Sequence, residues 1–124
     1  DLYKNIENIK FFRAVPNNSI PKLLNEYRFL ILPSNFEGLS KTVLEGMGCG
    51  IFCIVSDLIE NKFLIKKNLN GYLLNKNENI NLNNILETEK NNIEYKDYNK
   101  KFINDYFSFE KYIAREVKVL KEIL

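Results

Sequence analysis

Short, wholly apolar runs alternate along this chain with longer stretches in which apolar residues recur at helical spacing. Phe29–Leu32 and Ile51–Val55 are uninterrupted apolar runs, the pattern of strands in a parallel sheet covered on both faces. Pro33 and Ser34 stop the first run. Between the two runs lies Gly38–Gly48, with Leu39, Val43, Leu44 and Met47 on one stripe, which predicts a helix docked on that sheet. Ile9–Arg13 reads as an earlier strand, and Tyr72–Leu74 as a last short one after Gly71. Ser19, Ile20 and Pro21 open a helix running to Tyr27, with proline near its first position. Glu60–Lys67 reads as a short helix or turn, and helices at Leu82–Glu89, Lys96–Phe107 and Phe109–Leu124 close the chain. This alternation predicts an α/β fold with a parallel sheet flanked by helices.

The run EGLSKTVLEGMGCG carries the candidate chemistry. Glu37 and Glu45, with seven residues between them, bracket the predicted start of the helix behind the first buried strand. There, beyond the carboxyl ends of the strands, open α/β sheets bind their ligands. Glu37 falls at the helix start, beside unpaired backbone N–H groups and the positive end of the helix dipole. A plainer account is also open: the dipole alone favours an acidic residue there, and Glu45 can pair with Lys41 one turn earlier, for about 0.2–0.5 kcal/mol. Gly46, Gly48 and Gly50 weigh against it, since each glycine within a helix costs up to about 1 kcal/mol relative to alanine. They are explained if the backbone passes close to a neighbouring strand or ligand, with Gly50 taking a left-handed cap.

With these residues in place, the stretch from Phe29 to Leu74 resembles the carboxyl-terminal domain of the retaining glycosyltransferases of family 4. The likeness rests on Glu37, Glu45 and Cys49-Gly50, continues through Ser56-Asp57, Glu60-Asn61 and Asn70-Gly71, and ends in KKFINDYFSFEKYI. It covers the chain from about Asn8 onward. The resemblance implies one Rossmann-like, partial domain of a GT-B architecture, spanning 1–124, that binds a nucleotide-diphosphate sugar. It implies that Glu37 contacts the hexose, that Gly38, Leu39 and Ser40 line its path, and that Glu45 takes the ribose hydroxyls. The residue types suit those tasks: an ionised carboxylate accepts two hydrogen bonds from a diol, and N–H groups at a helix start suit a diphosphate. Arg13, Ala14 and Val15, ending the first predicted strand on the ligand edge, are candidates for contact with the base. No catalytic residue is assigned.

The chain also departs from the family pattern. Phe52 stands where the family usually has proline, Ile59 and Glu60 replace a frequent Gly-Gly, Phe63 replaces a frequent glutamate, and Gly46 and Gly48 stand where alanine is common. The family's opening strand, its glycine-arginine turn and nearby lysine, and the amino-terminal acceptor domain are expected to lie outside this chain, which contains no histidine. A metal-independent site with no cofactor follows from the resemblance, because GT-B enzymes stabilise the leaving diphosphate with helix dipole and basic residues.

Composition narrows the remaining choices. The chain's 124 residues, 45% hydrophobic and 27% charged, fit one globular domain. A net charge of +2, with lysines interspersed among glutamates, argues against nucleic acid as a partner. No run approaches the roughly 20 apolar residues of a membrane span, so a cytoplasmic location is expected, with peripheral membrane contact open for a longer protein. Cys49 and Cys53 lack further ligands for zinc and read as reduced, buried thiols. Asn75–Asn99 holds nine asparagines and reads as a surface helix with loose flanks. In the last helix Tyr112, Ile113, Val117, Leu120 and Leu124 form a stripe that normally docks on the body, or stays partly exposed where its family counterpart crosses to the other domain.

Two functions stay open at this point. One is the donor-binding part of a retaining glycosyltransferase. The other is a catalytically silent nucleotide-sugar-binding or structural module that needs a partner domain. Titration with UDP-, GDP- and ADP-sugars, alongside Glu37→Ala and Glu45→Ala, separates them.

Overall fold

A computed structural model describes residues 7–77 and 79–123. A 3-10 turn at Asn17–Ser19 leads into α1 (Ile20–Leu24), followed by β1 (Phe29–Leu32), α2 (Lys41–Gly48), β2 (Phe52–Ser56), α3 (Ile59–Leu64), β3 (Gly71–Leu74), α4 (Leu82–Asn91), α5 (Tyr95–Phe107) and α6 (Phe109–Ile123). The three strands form a parallel sheet in the order β1-β2-β3, in register from Phe29 opposite Phe52 and from Cys53 opposite Gly71. Helices cover both of its faces, so the fold is α/β and Rossmann-like.

Strand alternation explains the two halves of the core. Leu30, Leu32, Cys53, Val55 and Leu73 point to one face, against Val43 and Met47 of α2, Leu64 of α3, Ile65, and Phe102, Ile103 and Phe107 of α5. Phe29, Phe52, Ile54, Tyr72 and Leu74 point to the other, against Ile85 of α4 and Tyr95. Every residue of β2 is buried, and the large apolar side chains of Phe52, Ile54 and Val55 each contribute about 1.5–3 kcal/mol by leaving water. Phe29, Phe52 and Tyr95 stack edge-to-face, at ring separations of 6.0 and 5.1 Å.

The glycines of α2 explain how closely it packs. A side chain at Gly46 would stand 2.7 Å from Leu30 Cδ2 and 3.3 Å from Cys53 Sγ. Helix and sheet therefore meet where no Cβ intervenes. Gly50 closes the helix with φ +75°, the left-handed conformation expected of it.

Two polar networks tie the later helices to the sheet. Asn70 and Asn99 are both fully buried; Asn70 Nδ2 donates to Asn99 Oδ1 at 2.8 Å and to Leu64 O at 3.1 Å, while Asn99 Nδ2 donates to Ile51 O and Asn70 O, each at 3.1 Å. Arg28 Nε and Tyr95 Oη both donate to Glu89 Oε1 at 3.0 Å, and Arg28 Nη2 donates to Glu89 Oε2. The Arg28 hydrogen bond is the main reason that the Glu89 carboxyl lies below its ordinary range. Burial, with Glu89 beside it, pushes the Tyr95 phenol up to about 12.

Several expectations are corrected. Ile9–Arg13 is not a strand: the segment is irregular and Ile9, Phe11 and Phe12 are exposed. Apolar content alone does not make a strand, and the segment pairs with neither edge of the sheet. β1 is an edge strand rather than one covered on both faces, since Ile31 is 59% exposed where the helix layer stops short of it. The Asn-rich segment is better anchored than its composition suggests: Asn81 caps α4 by accepting from the N–H groups of Asn83 and Asn84, and Ile85, Glu89, Tyr95 and Asn99 are buried. Of the two expectations for the stripe of α6, docking on the body is not met and exposure is, as Tyr112, Ile113, Val117 and Leu120 are all exposed; Leu124 lies outside the described residues.

Candidate functional site

The carboxyl ends of the strands meet at one edge of the sheet. There the chain leaves β1 through Pro33 and Ser34, leaves β2 at Ser56, and leaves β3 at Asn75. Ser34, Asn35, Ser56, Asn75 and Lys76 share the walls of a cleft of about 250 Å³.

Glu37 lies in the loop between β1 and α2 rather than in the first helical turn. The helix starts at Lys41, later than the expected Gly38, because Ser40 has extended backbone angles of φ −71° and ψ 113°. The Glu37 carboxylate is half-buried and accepts a hydrogen bond from Ser34 Oγ at 2.8 Å. Ser34 N in turn donates to Ser56 Oγ at 2.7 Å. Around Gly38 there is open space, Leu39 is 52% exposed, and Ser40 is buried.

Ser40 occupies the capping position of α2 and makes no side-chain cap hydrogen bond. The first-turn N–H groups thus have no side-chain cap, at the end of the helix where the dipole is positive. Glu45 sits one turn into α2, partly exposed, with Oε1 3.5 Å from Lys41 Nζ. That ion pair accords with the plainer account of Glu45, and it is weak enough, at about 0.2–0.5 kcal/mol, to yield to a ligand. Glu37, Gly38, Leu39, Ser40 and Glu45 therefore all lie on the loop and first turns of α2, although neither glutamate lines the cleft.

Arg13, Ala14 and Val15 are exposed and carry no strand, so their expected placement at a strand end is not met. Nearby Phe12 shares a cleft with Leu23, Leu24 and Tyr27 instead. Among the described residues, no group of three or more His, Cys, Asp and Glu side chains is placed to hold a metal ion. No described helix is long and apolar enough to cross a membrane.

Sequence reasoning did not single out the hydroxyls of Ser34 and Ser56 as functional. Their signal was present: each is the first hydroxyl after an apolar strand run, at the edge where ligands bind. Asn61, a position of the family motif, is 1% exposed; its Nδ2 donates to Ser56 O at 2.9 Å, and its Oδ1 has no partner among the described residues.

The chain thus has a Rossmann-like sheet with Glu37 and the start of α2 beyond the carboxyl end of β1, the edge at which open α/β sheets in general bind ligands. The family model "Glycosyl transferases group 1" matches residues 1–105, and the chain belongs to that family. It is 36% identical over 61 residues to the UDP-Gal:alpha-D-GlcNAc-diphosphoundecaprenol alpha-1,3-galactosyltransferase of Escherichia coli, a match covering 49% of this chain and 16% of that enzyme. The chain thus spans about one sixth of that relative's length. No solved structure gives a significant match.

Proposed function

We propose that this chain binds the nucleotide-diphosphate-sugar donor of a retaining glycosyltransferase, as part of the carboxyl-terminal domain of a family 4, GT-B enzyme. The observation that carries the reading is the placement of Glu37 and Glu45 on either side of the uncapped start of α2, beyond the carboxyl end of β1. Family membership supports transfer chemistry, and the relative's name supports a UDP-sugar donor.

In this reading Glu37 accepts hydroxyls of the hexose, and the backbone of Gly38, Leu39 and Ser40 with the first N–H groups of α2 faces the diphosphate. Those N–H groups and the helix dipole offset the negative charge without a metal. Glu45 exchanges its contact with Lys41 for the ribose diol. Arg13, Ala14 and Val15 are left without an assigned role, since no strand carries them to the ligand edge. The bond from the anomeric carbon to the phosphate oxygen breaks, the nucleoside diphosphate leaves and takes up the acceptor hydroxyl's proton, and the oxygen of the acceptor, held by a second domain, bonds to the anomeric carbon from the same face.

Calorimetric titration with UDP-galactose, GDP-mannose and ADP-glucose tests the reading. Binding of one of them is expected, weakened at least tenfold, or about 1.4 kcal/mol, by Glu45→Ala. Glu37→Ala is expected to weaken the sugar nucleotide while sparing the free nucleotide diphosphate. A folded protein that binds none of the three refutes the donor-site reading.

A further inference from the structure

Hydrogen bonds run without interruption from a buried residue of α3 to the Glu37 carboxylate. Asn61 Nδ2 donates to Ser56 O at 2.9 Å, Ser34 N donates to Ser56 Oγ at 2.7 Å, and Ser34 Oγ donates to Glu37 Oε1 at 2.8 Å. The Ser56 carbonyl also accepts from Leu58 N at 2.8 Å, and Asp57 N donates to Leu74 O at 2.8 Å. Ser56 is therefore fixed from several sides, at the end of the fully buried central strand. Glu37, by contrast, is in a loop without helical backbone bonds, flanked by the exposed Phe36 and by Gly38, around which space is open. A carboxylate in such a loop holds one orientation only if other groups hold it.

We propose that Ser34 and Ser56 are positioning residues, with Asn61 anchoring Ser56, and that together they fix the Glu37 carboxylate and the loop 35–39 for recognition of the donor's sugar. Ser34 bridges the two parts of the relay: its N–H reaches the central strand and its hydroxyl reaches Glu37. The hydrogen bond engages Oε1 of Glu37, and Oε2 is the oxygen left for the sugar. Loss of the Ser34 hydroxyl frees the carboxylate to rotate without removing its charge. Loss of the Ser56 hydroxyl releases the loop one step earlier. The sugar-recognition part of this inference rests on the donor-site reading above, whereas the ordering of the loop does not.

The test combines amide hydrogen exchange with calorimetry on Ser34→Ala, Ser34→Thr, Ser56→Ala and Glu37→Ala, and on the Ser34→Ala/Glu37→Ala pair. Ser34→Ala and Ser56→Ala are expected to speed exchange of the amides at 35–39 about tenfold, with β2 and β3 unchanged, and Ser34→Thr to restore protection. UDP-galactose affinity is expected to fall about tenfold in Ser34→Ala while UDP affinity stays level. In the Glu37→Ala background the affinity effect of Ser34→Ala should vanish, which a merely structural role would not produce. Unchanged loop exchange in both serine variants overturns the proposal, as does an undiminished effect of Ser34→Ala on affinity without Glu37. If the unsubstituted protein binds no sugar nucleotide yet Ser34→Ala frees the loop, the relay stands as a loop-ordering device and the donor-site reading falls. If it binds sugar nucleotide and Ser34→Ala changes nothing, the donor-site reading stands and the relay falls.

Discussion

Replacing Asn99 by alanine is expected to destabilise the protein by about 3–5 kcal/mol, taking hydrogen bonds at about 1 kcal/mol each and buried groups left unpaired at 1–3. Asn99 takes part in three hydrogen bonds, to Ile51 O, to Asn70 O and from Asn70 Nδ2. Both asparagines are fully buried, so water does not readily replace the lost partners. The loss is limited because Asn70 Nδ2 keeps Leu64 O, and Ile51 O keeps a weak contact from Cys53 Sγ at 3.6 Å. Against a typical domain stability of about 5–15 kcal/mol, such a change removes a large share of the whole.

Urea unfolding followed by circular dichroism measures this, with the slope checked for constancy. Asn99→Asp is the sharper variant, because it keeps the volume and turns the donor amide into a buried carboxylate facing two carbonyl oxygens. It is expected to be at least as damaging at neutral pH and to recover partly in acid, where a protonated carboxyl donates one bond. In a cycle with Asn70→Ala the two substitutions should couple by more than about 0.5 kcal/mol, as residues in one network do. A loss under about 1 kcal/mol for Asn99→Ala at constant slope, or a tolerated Asn99→Asp, would refute the reasoning.

Other consequences are open to simple measurements. The Glu89 carboxyl is depressed chiefly by its hydrogen bond from Arg28, so its contribution to stability is full above the ordinary carboxylate value and lost as pH falls through the folded value; stability measured against pH should lose part of its acid limb in Glu89→Gln. Burial holds the Cys53 thiol up at about 12 and also raises that of Cys49, which is only half-buried rather than buried as expected; a thiol reagent should modify Cys49 in the folded protein and Cys53 only on unfolding. Gly50→Ala should cost about 1–2 kcal/mol from its left-handed backbone. Trimming Lys100, whose Cε would stand 2.8 Å from the new methyl group, should not restore it in urea unfolding.

The central strands and most helices were legible because burial imposes a pattern on them. β2 is buried throughout, and it is apolar from Phe52 to Val55. Gly46 and Gly50 were legible too, since a glycine in or ending a helix signals close approach or a left-handed cap. Ile9–Arg13 misled because apolar content alone resembles a strand, while a strand also needs a partner that no single sequence shows. Asn99 was illegible for a related reason: its burial depends on Asn70, 29 positions away, and asparagine carries no periodic signal. The pairing of Arg28 with Glu89 spans 61 positions and was equally hidden.

The start of α2 shows what such a misreading changes. Leu39 falls at helical spacing with Val43, a pattern that predicts burial, yet it is half exposed and precedes the helix. Moving the start from Gly38 to Lys41 takes Glu37 from the turn at the helix start into the preceding loop. A helical glutamate would be oriented by its own backbone, whereas a loop glutamate depends on its neighbours. At this edge those neighbours are the hydroxyls that end two adjacent parallel strands, Ser34 and Ser56. The strand pairing of Leu32 with Val55 brings these ends side by side. Sheet register, set by the buried runs, thereby fixes where the carboxylate points, and the part of the site that the sequence could not display follows from the part of the fold that it could.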